Sequence, residues 1–306
     1  MNTQELALVV YTTLVQMSVG AFVILGIVHF YAEHKSDTNN ASEMSDRALL
    51  AIGPVVVMGV LASFFHLGNP INAFRAVSNL GTSWLSREIL FTVLFVGTGA
   101  VFALLQWRKI GSFRLRQIIA LVAAVLGLAL VYSMSNIYQL TAEPAWNSVS
   151  TTLSFFITTF LLGALALGVA FTVNYFYLKG KQDKANVALQ SEMLRTVLQG
   201  IALGSIALLG LQLAIIPLSI SQLAAGSPAA VESAGQFTNT YGPIFALRLI
   251  LVILGAGLFG LFLYRSALLN KERLMANFVF AAFAAVLVAE LLGRFLFYAA
   301  HARIGI

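Results

Sequence analysis

His66 and Glu88 are the side chains in this sequence best suited to proton chemistry. Histidine exchanges a proton near neutral pH without a perturbed environment. A carboxylate nearby can take a second proton or pass one on. A second set recurs at helical spacing close to the C-terminus: Glu290, Arg294, Tyr298 and His301. Glu290 and Arg294 stand i, i+4 with the acid first, a spacing that suits an intrahelical ion pair. Such a pair serves equally as a brace or as part of a site. Arg75 and Arg248 add isolated positive charge.

The elements that must position these groups follow from composition. Of 306 residues, 59% are hydrophobic and only 10% are charged, against about 25% charged in ordinary soluble domains. So few charges cannot cover the surface of a soluble protein this long. Eight apolar stretches are long enough to cross a bilayer, which takes roughly 20 residues: 6–32, 48–66, 88–106, 115–140, 149–178, 194–222, 243–269 and 274–300. They are apolar on most faces rather than alternating, so they read as helices and not barrel strands. The first has no basic segment before it and reads as a span rather than a cleaved leader. Gly200, Gly204, Gly255, Gly257 and Gly260 are small residues that allow close helix contacts, with plain packing the simpler account.

Basic residues set the orientation. Thirteen of the 18 Lys and Arg residues fall in the loops after spans one, three, five and seven, three fall on the other side, and Arg248 and Arg294 lie within spans. Basic loops stay in the cytoplasm. The expectation is an all-α membrane protein: one domain, a bundle of eight transmembrane helices, both termini on the periplasmic side of the bacterial inner membrane. The 71–84 connection mixes Phe74, Arg75, Asn79 and Trp84, which suits a short helix along the outer surface.

That topology gives each polar group a depth. His66, Glu88, Arg248, Glu290, Arg294 and Tyr298 all fall in the outer half, and Glu143 lies in an outer loop. The inner half is nearly pure hydrocarbon. A transporter is expected to carry polar groups near the midplane, and a proton channel needs a polar path through both halves. A one-sided polar pocket permits hydroquinone oxidation, which releases two protons and two electrons, without singling it out. Histidine and carboxylate accept the protons, while Arg75 or Tyr298 can donate to the ring oxygens. Simpler accounts stand beside this one. Glu88 follows Ser86, a plausible N-cap, and a first-turn acid favours the helix dipole. His66 can merely end its span. With no cysteine in the sequence, an ordinary iron–sulfur cluster has no ligands here. A haem b would need facing histidines; His29 and His34 lie toward the inner side, so only His66 and His301 could meet.

Two stretches carry a resemblance. One is Ser63-Phe-Phe-His66-Leu-Gly-Asn-Pro70-Ile-Asn-Ala-Phe74, running on through Asn79-Leu-Gly81 to Trp84-Leu-Ser86-Arg-Glu88. The other is Glu290-Leu-Leu-Gly-Arg294-Phe-Leu-Phe-Tyr298-Ala-Ala-His301. With Glu143-Pro144-Ala-Trp146 between spans four and five, they resemble the membrane-anchor subunit of anaerobic dimethyl sulfoxide reductase. The resemblance implies a three-subunit respiratory complex. A molybdopterin subunit reduces the terminal acceptor, a four-cluster iron–sulfur subunit delivers electrons, and a haem-free anchor oxidises menaquinol. It assigns the menaquinol roles to His66 and Glu88. Where the family places a base, this sequence has Asn72, and its nearest base, Arg75, comes about one turn later. Arg75 is thus a candidate for the quinol site or for contact with the iron–sulfur subunit. Glu290, Arg294 and Tyr298 are further quinol-binding candidates. A haem b anchor and a stand-alone transporter are the alternatives.

Overall fold

In the computed structural model the structure describes residues 3–35, 38–64, 79–180 and 184–304, with side chains for 5–28, 49, 52–64, 79–180 and 187–304. These residues form helices and connecting turns, with no strand among them. The helices are α1 (Thr3–Lys35), α2 (Thr38–Phe64), α3 (Trp84–Arg108), α4 (Phe113–Ile137) and α5 (Val149–Lys179). After them come α6 (Lys184–Ala224) and a short α7 (Pro228–Gly235) that runs into a π turn, Gln236–Thr240. The last two are α8 (Gly242–Leu268), wound as π-helix over Ile253–Phe259, and α9 (Glu272–Ala299).

Seven of these helices are long and apolar enough to cross a membrane; α2 contributes a shorter apolar run, Ile52–Phe64. Seven of the eight expected spans thus each overlap one of these helices, although α4, α8 and α9 stop one to three residues before the expected ends at 140, 269 and 300. The second span was expected to end at His66, beyond the last described residue of α2. Side chains such as Val93, Val101, Leu121 and Val125 point outward at half or more of their full exposure. On a soluble protein such a surface would be an aggregation hazard; in lipid it is the solvated face.

Two sets of four helices, α1–α4 and α5, α6, α8 and α9, meet along α1 and α5. Lipid tails are as apolar as leucine, so close packing rather than the hydrophobic effect holds such helices together. The tightest point is the α1–α5 crossing. A Cβ built on Gly20 would lie 1.8 Å from the Thr159 carbonyl oxygen, and one on Gly163 would lie 2.4 Å from the Ala21 backbone nitrogen. Of the glycines singled out in the sequence, Gly255 does sit against α9, with Val286 Cγ2 at 2.7 Å from a built Cβ, whereas Gly200 and Gly204 meet nothing within 4 Å.

The bundle has two unlike ends. At one end Tyr175, Lys179 and Ser191 converge on Glu272, tying α5, α6 and α9 together. This end carries the basic loops. At the other end the α4–α5 connection and the C-terminal tail interlock: Trp146 Nε1 donates to the Phe297 carbonyl at 2.7 Å, and Ile304 N donates to the Ala142 carbonyl at 2.9 Å. The sequence lacks cysteine, so sidedness can be read from single introduced thiols. Asn147→Cys, at the tail end, is expected to react with an impermeant maleimide added outside the cell. Ile110→Cys, at the basic end, is expected to react only after permeabilisation. The reverse pattern would invert the orientation.

Candidate functional site

Glu88 is placed by the start of α3. The helix is capped by Ser83, whose hydroxyl accepts from Ser86 N at 3.3 Å. Arg87 fastens the preceding turn, donating to the Leu80 and Gly81 carbonyls at 2.8 Å each and lying over the Trp84 ring. The cap is thus Ser83 and not Ser86, and no acid stands in the first turn. Glu88 sits four residues in, about 6 Å along the axis, where dipole compensation has faded. The dipole therefore does not account for it.

The Glu88 side chain is 7% exposed and faces α1. Tyr11 Oη donates to Glu88 Oε1 at 2.9 Å and stands 3.5 Å from Thr92 Oγ1. Among the described residues no cation lies within ion-pair distance of Glu88. An unpaired carboxylate is costly to keep charged in a membrane, so a proton-accepting role suits it better than a structural one. His66 and Arg75 lie outside the described residues.

Next to this carboxylate is an aromatic platform. The Tyr138 and Tyr298 hydroxyls are 2.7 Å apart, joining the end of α4 to the end of α9. Tyr138 also packs against Trp146, Phe155 and Phe297, with centroids 5.1–5.8 Å away. Trp146 stacks on Phe297 and on His301, the latter at 4.4 Å. His301 Nδ1 lies 2.7 Å from the Tyr298 carbonyl. A carbonyl can only accept, so Nδ1 carries the proton. Glu143 is buried beside Arg303, its Oε1 3.7 Å from the guanidinium Nε.

Glu290 and Arg294 lie deeper. Glu290 is nine residues from the end of α9, about 14 Å along the axis. Their i, i+4 spacing suggested a pair, but each has its own partners. Glu290 accepts from Thr158 Oγ1 at 2.6 Å and from Gln212 Nε2 at 2.8 Å. Arg294 Nη2 donates to Gln16 Oε1 at 2.9 Å, and its guanidinium lies 3.8 Å from the centre of the Phe155 ring. The ion pairs found among the described residues are Lys179–Glu272 and Glu143–Arg303. Arg294 thus stands between two polar groups, with the tyrosine pair on one side and Glu290 on the other.

The structure therefore brings Tyr298 into the neighbourhood of Glu88 and sets Glu290 apart. Tyr11, Gln16, Thr158 and Gln212 were not visible as site residues in the sequence. Each is a neutral polar residue inside an apolar run, and nothing in the run marks which face it takes. A cavity of about 440 Å³ between α1, α2 and α5 lies toward the basic end. Among the described residues its walls are mostly hydrocarbon, with Ser18, Asn174 and Tyr177 as polar exceptions, and no carboxylate lines it. Among the described residues no group of three or more His, Asp or Glu side chains could hold a metal ion.

A family model described as the DMSO reductase anchor subunit (DmsC) matches residues 1–300. The anaerobic dimethyl sulfoxide reductase protein YnfH of Escherichia coli (strain K12) is 29% identical over 306 residues, covering 98% of this protein and 96% of that one. A second anaerobic dimethyl sulfoxide reductase subunit of the same organism is 27% identical over the same coverage. Among solved structures, bd oxidase from Geobacillus thermodenitrificans superposes with a TM-score of 0.67 at 13% identity, over 97% of this protein and 85% of that one. That last likeness is one of fold alone.

Proposed function

This chain belongs to the dimethyl sulfoxide reductase anchor subunit family, and on that premise we propose that it binds and oxidises menaquinol near the periplasmic face of the membrane. The family makes it a multi-pass inner-membrane anchor within an oxidoreductase complex. The finer reading is that menaquinol gives two electrons to an iron–sulfur partner subunit, which feeds a molybdopterin subunit of the dimethyl sulfoxide reductase type. The two protons leave the ring oxygens. His66 accepts one, and Glu88 takes the other or relays it outward. Tyr298 and Arg294 border the ring, and Arg75 is a further donor. Eight spans with both termini periplasmic put this chemistry outside.

The observation that carries the proposal is the Glu88 environment. A carboxylate is buried one turn inside α3, with a phenol donating to it and no cation beside it among the described residues. Such a group is poised to change protonation rather than to hold two helices together. The test begins with the intact assembly. A tagged anchor isolated from its native membrane is expected to bring two soluble subunits in equal amounts. The assembly is expected to reduce dimethyl sulfoxide with a menaquinol analogue and to show no haem band in a reduced-minus-oxidised spectrum. An anchor that purifies alone would point to a transporter, and a haem band would point to a haem b anchor.

A further inference from the structure

Glu290 fixes the amide of Gln212 in one orientation. The amide nitrogen donates to the carboxylate at 2.8 Å, so Gln212 Oε1 is turned away, and it is buried without a partner. Gln212 itself is 4% exposed. Across the same space Arg248 Nε is also buried without a partner. Its guanidinium fills the place of a missing side chain, since a Cβ on Gly293 would lie 2.5 Å from Nε and 2.7 Å from Cζ. Both residues border a half-open cavity of about 120 Å³ between α5, α6, α8 and α9, with the hydroxyls of Ser148, Ser150 and Ser154 along one side. The π-wound stretch of α8 begins one turn beyond Arg248; such windings are frequent at functional sites.

Unmet hydrogen-bonding capacity in a buried site is costly, and here it has a definite sense. Gln212 Oε1 needs a donor, and Arg248 Nε needs an acceptor. A bare anion would satisfy only the arginine, and a cation only the glutamine. A hydroxyl group both donates and accepts. Beside these polar atoms the walls are Ile216, Phe245 and Phe297. The volume is below the roughly 150 Å³ of an apolar cavity known to take one benzene ring, so it admits the hydroxyl-bearing edge of a ring, with the rest of a head group left in the open mouth.

We propose that this cavity is a second quinol-binding place, separate from Glu88, which takes the hydroxyl edge of a hydroquinone ring between Gln212 and Arg248. It rests on the menaquinol reading above. Glu290 orients Gln212 and is itself held by Thr158, so it acts here as a positioning residue. Arg294 separates this place from the tyrosine pair, and the two occupants are not in contact.

The test is equilibrium dialysis of the complete complex in nanodiscs against menadiol, a naphthoquinol without a tail, under anaerobic conditions. Two molecules are expected per wild-type anchor. Gln212→Leu, which removes the unmet acceptor, is expected to bind one. Ser219→Leu fills the cavity wall without touching the bonds to Glu290 and is also expected to bind one, which covers the case in which Gln212→Leu fails to assemble. Glu88→Gln is expected to retain the molecule in the Glu290 cavity. One molecule per wild-type anchor, unchanged by Gln212→Leu and Ser219→Leu and lost in Glu88→Gln, would overturn the second site and leave the first standing. The cavity would then hold only water. No menadiol bound by the wild type would instead overturn the quinol reading itself.

Discussion

In the complete complex, Glu88→Gln is expected to lower menaquinol-dependent turnover by about 100-fold or more, the scale on which a lost acid–base group is felt. Glutamine keeps the shape of the side chain and an oxygen that can accept from Tyr11, so α3 should still seat against α1. Electron delivery from an artificial donor that bypasses the anchor should be unchanged. His66→Arg is expected to behave in the same way, since arginine holds its proton throughout the accessible pH range. Assembly is checked by the amount of soluble subunits bound to the membrane. Turnover with menaquinol analogues equal to wild type in both variants would remove these residues from the chemistry. A loss of both quinol and artificial-donor activity would show a folding defect instead.

The second large effect is structural. Gly163→Ala places a methyl group 2.4 Å from the Ala21 backbone nitrogen and the Gly20 carbonyl carbon. Both neighbours are main chain and cannot swing aside. The expected loss is about 4 kcal/mol or more, at the extreme of single substitutions, read as a collapse in the amount of anchor recovered from membranes. Gly200→Ala is the matched control, because nothing lies within 4 Å of that position. There the same change is expected to be neutral or to stabilise, by roughly 0.5–1 kcal/mol from helix propensity. Equal yields and equal melting temperatures for the two variants would show that the α1–α5 crossing is looser than described.

These two predictions differ in how far the sequence alone could have reached them. The helices of the bundle were legible because a membrane demands unbroken apolar runs, and each helix outlasts or nearly matches its run. The ends were less so. α6 starts at Lys184 although its apolar stretch starts near 194, because backbone hydrogen bonding continues through polar residues once a helix is nucleated. α7 was missed because eight residues are too few to show a period. Glu88 was legible as a candidate, but its cap was misplaced. Ser83 and Ser86 both precede it, and only the backbone tells which one ends the turn. The crossing at Gly20 and Gly163 left no motif, whereas Gly200 and Gly204 have the expected spacing and no close neighbour. Helix spacing records which residues share a face, not what lies opposite. The same limit hid Gln212 and Thr158, and it made Glu290 and Arg294 look like each other's partners.

The interlocked end, where Trp146, Tyr298 and His301 meet, lies opposite the lysine- and arginine-rich loops. If thiol labelling places Asn147 outside the cell, and if the proposed menaquinol oxidation holds, both of its products would be discharged on that side, electrons to the proposed soluble subunits and protons to the medium. No charge then crosses the dielectric. A field worth about 2.3 kcal/mol per charge at 100 mV would neither drive this step nor be built by it. Energy conservation in a respiratory chain using this anchor would fall entirely to the enzyme that reduces the quinone.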